Sequence, residues 1–386
     1  MLGEESILQH HIFRLMLFML CSSGVVMPQN THAADPNARG RAAQSNRPGR
    51  FERFDRDRVD DGWEIAEDLP SVRTEVSLET PCKIITRNTS PDISFDRSIN
   101  PYRGCEHGCI YCFARPTHAY LGMSPGLDFE TQLIARPDAP DLLAKELRAK
   151  SYVPKVIAIG TNTDPYQPIE KEHRIMRRCL EVLRDFNHPV GIVTKGTLIE
   201  RDIDILGDMG QRGLVRVGIS VTTLDPKISR AMEPRVPHPK RRLKTIQRLT
   251  DAGCPVRIMT SPVVPGLTDH EIEAILQAGA DAGAIAASWI MLRLPREVAP
   301  LFIEWLAAAF PDRAARVMAR VRETHGGQNY DPNWGQRMTG QGKYAQLIAH
   351  RFALQCKRLG LASKLPDLRC DLFAPPPRRG DQLSLF

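Results

Sequence analysis

From residue 93 onward the chain alternates short runs of β-branched and aliphatic residues with longer stretches whose apolar positions recur at helical spacing. The short runs, at 93–100, 156–159, 190–194, 214–221, 256–260 and 288–292, predict strands. The stretches at 141–150, 171–186, 202–209, 240–252 and 270–282 predict helices between them. Such alternation makes right-handed βαβ units on a parallel sheet, so the fold class is α/β. Residues 295–372 predict a helical extension, in which a polar loop around Gly326, Tyr330 and 335–342 is placed to shape a substrate entrance.

Outside these elements the pattern fades. Residues 1–60 predict a disordered or non-native extension: 29–58 are rich in Asn, Pro, Gly and Arg, with little apolar content. The apolar stretch 12–27 resembles a secretory signal only superficially. It is preceded by Glu4 and Glu5 with no Lys or Arg, and Arg14 interrupts it, so Met27 is the better candidate for the true start. The stretch is also too short to span a membrane. Residues 61–92 read as a lead-in, with order beginning near Trp63 and Val72, and 93–294 as the core. Residues 373–386 begin as a Pro-rich tether.

Composition adds little until the cysteines are placed. With 25% charged residues the chain has the balance of a soluble protein with a full core, and a formal net charge of +7 leans towards a polyanionic partner. Of nine cysteines, six are scattered as in a reduced, cytoplasmic protein. The other three, Cys105, Cys109 and Cys112, fall within eight residues directly after the first strand. That position is the C-terminal rim, where barrel active sites are built. Thiolates at spacings of four and three can ligate one small cluster from a single loop, and an iron–sulfur cubane usually takes four. Three local ligands leave one iron open, which suits catalysis. The alternative is a Cys3His zinc site completed by His107 or His118.

The segment Cys105-Glu-His-Gly-Cys109-Ile-Tyr111-Cys112 resembles the signature loop of the radical S-adenosylmethionine (radical SAM) superfamily, and six βα units match its partial (β/α)6, TIM-like barrel. The resemblance implies a [4Fe–4S] cluster on the three cysteines whose open iron chelates SAM. Its reduction would release a 5′-deoxyadenosyl radical, with Tyr111 near the adenine. It further implies an electron donor such as flavodoxin or ferredoxin.

The order of motifs looks like the branch related to spore photoproduct lyase, described as DNA-repair-photolyase-like, and the strand ends are read accordingly. Thr161, Asn162 and Asp164 follow the second strand, where related enzymes bind the SAM amino group. An Asx-Pro turn is the plainer role for Asp164. Lys195, after the third strand, resembles that relative's SAM-carboxylate lysine, although a solvent-exposed lysine explains it too. Ser220 ends the fourth strand and Arg235 lies beyond it. By resemblance both contact SAM, with a phosphate-facing patch as the alternative for Arg235. Pro265, after the fifth strand, is placed for backbone contact with adenine. Beside the cluster, Arg115, His118 and Tyr120 are the candidates for substrate contact or hydrogen transfer, each with an ordinary packing alternative. The hydrogen-donating cysteine of spore photoproduct lyase has no counterpart between Cys112 and Cys179, so thymine-dimer splitting does not carry over.

The last five residues, Gln382, Leu383, Ser384, Leu385 and Phe386, resemble the peptide by which bacterial polymerases and repair enzymes dock on the sliding clamp. Burying its three apolar side chains contributes about 4–8 kcal/mol before ordering losses. The expected protein is thus a cytoplasmic radical SAM enzyme acting on DNA. RNA or protein modification, or a non-catalytic metal-stabilised clamp-binding module, are the alternatives.

Overall fold

The computed structural model describes residues 41–52 and 73–377. Among these residues ten strands occur in chain order: β1 (Glu75–Leu78), β2 (Ile85–Arg87), β3 (Arg97–Ile99), β4 (Tyr102–Arg103), β5 (Gln132–Ala135), β6 (Ile157–Ile159), β7 (Val190–Thr194), β8 (Val215–Ser220), β9 (Val256–Val263) and β10 (Ala286–Met291). The main sheet runs β10-β9-β8-β7-β6-β3-β2. All its pairs are parallel except β2–β3, so six parallel strands follow one another in chain order. This is the expected open (β/α)6 barrel. Residues 93–96 lie outside its first strand, and the small second sheet β1-β5-β4 was not expected from the pattern of residues.

Five helices cover the sheet: α1 (Ala139–Leu147), α2 (Ile175–Asp185), α3 (Ile203–Gln211), α4 (Pro239–Asp251) and α5 (Ile272–Asp281). The helix expected over 171–186 is broken at Arg174, which takes a left-handed φ of 52°. The buried Glu170 carboxylate causes the break, accepting from the Met176 amide at 3.0 Å and from the Arg177 amide at 3.4 Å. It thereby caps α2 as a separate helix. The cysteine Cys179 is fully buried on α2, as its apolar stripe predicts.

The helical extension is present as α6 (Val298–Ala309), α7 (Pro311–Thr324) and α8 (Gly342–Leu359). A second apolar core joins α6 and α7 to the cysteine loop: Ile110 and Tyr111 pack with Met232, Phe302, Trp305 and Val317. The helical extension therefore packs directly against the loop. No helix among the described residues is long and apolar enough to cross a membrane.

Part of the segment expected to be disordered is an ordered strap. Arg41 Nη1 donates to Glu130 O at 2.9 Å, and the Ala42 and Ala43 amides donate to the Glu130 carboxylate at 3.2 and 3.0 Å. Further along, Asn46 bonds Asp128 at 2.8 Å and Arg50 pairs with Glu297 at 2.7 Å. Polar contacts to carboxylates, the buried Glu130 foremost, hold this strap, which explains why its low apolar content misled. The rest of 1–60, the order expected at Trp63 and Val72, and the five C-terminal residues lie outside the described residues.

The opposite end of the barrel carries a pH-sensitive contact. Buried His188 lies between Tyr152 Oη at 2.7 Å and Pro189 O at 3.0 Å, with Phe373 packed edge-on. Burial, with a smaller contribution from Arg97, lowers its pKa from 6.5 to about 4. A folded value below the unfolded one means that the unfolded chain binds the extra proton between those limits. This stability is in place above pH 6.5 and drains away as pH falls to about 4, by about 2–3 kcal/mol. Urea unfolding of His188→Gln should show a correspondingly flatter pH profile across that window. An unchanged slope would refute the assignment.

Candidate active site

The cysteine loop leaves β4 and is held by its own backbone. The Gly108 amide donates to Cys105 O at 3.1 Å, the Cys112 amide to Cys109 O at 3.2 Å, and the Ile110 amide to Met232 O at 3.0 Å. Gly108 has φ 65°, and a Cβ there would lie 2.7 Å from Glu130 Oε2, so the loop needs glycine on both counts. The result is that Cys105, Cys109 and Cys112 all line one cavity of about 180 Å³ at the C-terminal rim. Burial pushes the Cys105 and Cys112 thiols up. Burial, reinforced by Glu233 and opposed by Lys195, pushes Cys109 to about 12. Buried thiols of this kind are poor free nucleophiles, whereas metal binding deprotonates them outright.

Several rim residues meet the cysteines as the strand ends predict. Thr161, Asn162, Asp164, Lys195, Ser220 and Tyr111 line the same cavity. Gly160 takes φ 91° at the end of β6, where a Cβ would strike Val193 O at 1.9 Å, and this turn brings Thr161 and Asn162 to the rim. Asp164 makes the Asx turn, the plainer of its two expected roles. Its Oδ1 accepts from the Tyr166 amide at 2.9 Å, an Asx turn, and from Thr194 Oγ1 at 2.5 Å. Its Oδ2 accepts from the Lys195 amide at 2.7 Å and lies 3.3 Å from His107 Nδ1. Against the effect of burial, His107 and these donors hold its pKa down at about 2. With its lone pairs so committed, Asp164 shapes the rim rather than offering a free carboxylate.

Lys195 Nζ lies 5.7 Å over the Tyr111 ring. Burial works against its charge, but Cys109, Glu233 and Asp164 raise its pKa above the ordinary lysine value. The Tyr111 hydroxyl donates to Glu233, which also accepts from Thr222 at 3.0 Å and pairs with Arg242 at 2.9 Å, all buried. Tyr111 is thus fixed in orientation, with its ring towards the cavity.

Other expectations need correction. Arg115 is fully buried under the cysteine loop, donating to Cys109 O at 3.0 Å, Gly108 O at 3.1 Å, Pro125 O at 3.1 Å and Gly126 O at 2.9 Å. It pairs with Glu130 at 2.6 Å and so braces the loop rather than touching substrate. His118 is also fully buried, its Nε2 on Gln132 O at 2.9 Å and its ring edge-on to Phe129; burial lowers its pKa to about 4. Both its zinc-ligand and hydrogen-transfer roles are therefore replaced by packing. Tyr120 is 65% exposed and stacks with Phe51 and Arg50 on the outer surface. The 3-10 turn Arg115–Leu121 is the physical reason, since it leads the chain away from the cavity.

Arg235 pairs with Glu106 and is not among the lining residues. Pro265 is buried beyond the cavity too; Met259, Ser261 and Pro262 occupy the fifth strand's end instead. The sequence reading also missed His107, Thr163 and Phe113 as lining residues. Arg293, just beyond β10, lines the cavity as well. The polar loop does reach the entrance, where Met338 O accepts from the Met291 amide at 2.8 Å.

A parallel barrel with three thiols, a lysine and a polar row on one C-terminal cavity defines a cofactor-binding α/β enzyme scaffold. Residues 99–278 match the radical SAM superfamily. An uncharacterized protein of Mycobacterium tuberculosis is 37% identical over 259 residues, 67% of this chain and 75% of its own. One of Methanocaldococcus jannaschii is 27% identical over 174 residues, 45% and 62% of the two chains. Among solved structures, a tyrosine-to-phenylalanine mutant of spore photoproduct lyase aligns with TM-score 0.54 at 16% identity, covering 74% of this chain and 81% of that one. The same enzyme complexed with dinucleoside spore photoproduct gives 0.51 at 14%, with the same coverage. These structures share the fold, and the chain belongs to the radical SAM superfamily. The superfamily's cofactors are a [4Fe–4S] cluster and SAM, and the donor set fits them: three soft thiols face a cavity that also holds a cationic lysine and an aromatic ring.

Proposed function

We propose that this chain is a radical SAM enzyme that cleaves SAM reductively and acts on nucleic acid, with DNA the leading substrate. The observation carrying the enzymatic part is the convergence of Cys105, Cys109 and Cys112 with Lys195, Ser220, Thr161 and Asn162 on one cavity. When bound, the cluster supplies one electron and SAM supplies the carbon radical that takes a hydrogen atom from substrate. The residues of the chain bind and orient. The three thiols would hold the cluster and Lys195 would meet the SAM carboxylate. Ser220 and the 161–162 backbone would seat its amino end, and the Tyr111 ring would flank the adenine. Arg115 and Glu130 hold the loop, a positioning role.

Support for nucleic acid comes from the net charge of +7 and from the fold shared with an enzyme complexed with a dinucleoside lesion. Gln382, Leu383, Ser384, Leu385 and Phe386 would dock the enzyme on the sliding clamp, and a flavodoxin or ferredoxin in the cytoplasm would supply the electron.

Anaerobic iron–sulfur reconstitution followed by SAM and dithionite should yield 5′-deoxyadenosine, and DNA should be retained by the full chain but released at high salt. Bound zinc without SAM cleavage would overturn the enzymatic reading. SAM cleavage without DNA retention would move the substrate to RNA or protein. Deletion of 382–386 should abolish clamp binding and leave SAM cleavage intact.

A further inference from the structure

Two side chains lining the cavity carry fixed positive charge, and they are balanced very differently. Lys195 has Asp164 and Glu233 as electrostatic neighbours. Arg293, just after β10, has no carboxylate contact among the described residues. Its Nη1 lies 3.6 Å from Met338 Sδ and its Nη2 3.4 Å from Tyr330 Oη, both at the weak end of hydrogen bonding. Its Nε is buried with no partner at all. Asp92 feels its charge but is already engaged, accepting from the Gly335 amide at 2.8 Å and from Arg337 at 2.5 Å.

A guanidinium has five N–H donors in a planar fork. Leaving most of them unspent at a half-buried position costs free energy that a ligand's acceptors would recover. The neighbour is also informative. The Arg293 guanidinium lies 5.0 Å over the Phe113 ring, which is 44% exposed at the cavity even though it directly follows the cysteine loop. A planar cation beside an exposed aromatic face suits a phosphate joined to a base. Met259 and Ile290 supply apolar wall in the same cavity.

We propose that Arg293 is a phosphodiester subsite: it takes the phosphate next to the attacked nucleotide in a bidentate grip, while Phe113 stacks a base. This rests on the nucleic-acid reading above and names the residues that would carry it. Lys195, beside the cysteines, serves the cofactor, and Arg293 serves the substrate. Tyr330 and Met338 of the polar loop hold the guanidinium in place, so the loop sets where the phosphate sits.

The test compares binding of the dinucleoside monophosphate TpT with that of thymidine, by calorimetry on the full reconstituted chain with SAM. Wild type should prefer TpT by about tenfold or more, the scale of one charge-assisted bidentate pair. The preference should shrink as salt rises. Arg293→Gln should reduce it to within about twofold, and Arg293→Lys should keep part of it, since the charge remains without the fork. No preference in wild type would overturn the proposal without recourse to any variant. Tighter binding of a phosphoserine peptide than of TpT would overturn it as well. Arg293→Gln that keeps the preference but loses SAM affinity would assign the guanidinium to the cofactor instead. Release of 5′-deoxyadenosine by wild type is scored separately. If it is absent while the TpT preference stands, the enzymatic reading fails and the subsite survives.

Discussion

Cys109→Ala protein is expected to retain its fold, to lose its iron, and to form 5′-deoxyadenosine at least about a hundredfold more slowly than wild type. Removing a metal ligand outright should cost at least as much as the 10–100-fold loss typical of a residue that only supports a ligand. Cys109 is the most informative of the three because its surroundings separate folding from chemistry. Its thiol is buried beside Tyr111 and under the field of Lys195, while its carbonyl already serves Arg115 and the Cys112 amide. Alanine keeps those backbone bonds and the apolar contact with Ile110, and removes only the sulfur. Circular dichroism and urea unfolding should move little, whereas iron content and nucleoside release should collapse together. A variant that unfolds would make Cys109 structural. A variant that keeps its cluster would place the third ligand elsewhere.

The barrel was legible in the sequence because four of its six parallel strands, β6 to β9, are short runs rich in Ile and Val, and they set the spacing of the rest. The cysteine side of the cavity was legible for the same reason. Once strand ends are placed, Asp164, Lys195 and Ser220 must lie on the C-terminal rim, and backbone topology alone brings them to the cysteines. Side-chain direction was not legible. Arg115 and His118 stand next to the cluster loop in sequence, yet the turn at Arg115–Leu121 sends them into the packing beneath it. Arg235 has the right residue type for a carboxylate clamp, but Glu106 claims it, and nothing in sequence spacing links residue 106 to residue 235. Arg293 became visible only through its three-dimensional neighbours: no described carboxylate contacts it, and Asp92, which feels its charge, is taken by Arg337 and the Gly335 amide. The strap at 41–52 failed for a related reason: composition reports apolar content, whereas this segment is held by polar contacts to the distant carboxylates of Glu130, Asp128 and Glu297.

That carboxylate gives the other large effect. Glu130→Ala should destabilise the protein by about 3–5 kcal/mol, because it leaves the fully buried Arg115 guanidinium without a counter-charge. The four carbonyls on Arg115 soften the loss towards the lower end. The orphaned Ala42 and Ala43 amides add to it as the strap comes away. Glu130 therefore joins two functions, neutralising the arginine that grips the cysteine loop and fastening the strap over it. The double variant Arg115→Met/Glu130→Leu separates them. Replacing a buried pair by apolar groups of similar volume is often nearly neutral, so the double variant should recover most of the lost stability. It should not recover iron content, because no guanidinium then holds the Gly108 and Cys109 carbonyls. Recovery of both would mean that the loop holds its shape unaided. A Glu130→Ala loss below about 1 kcal/mol would mean that the pair contributes no more than an exposed one. Stability restored with iron still lost would show that the buried pair is retained for the geometry of the cluster loop.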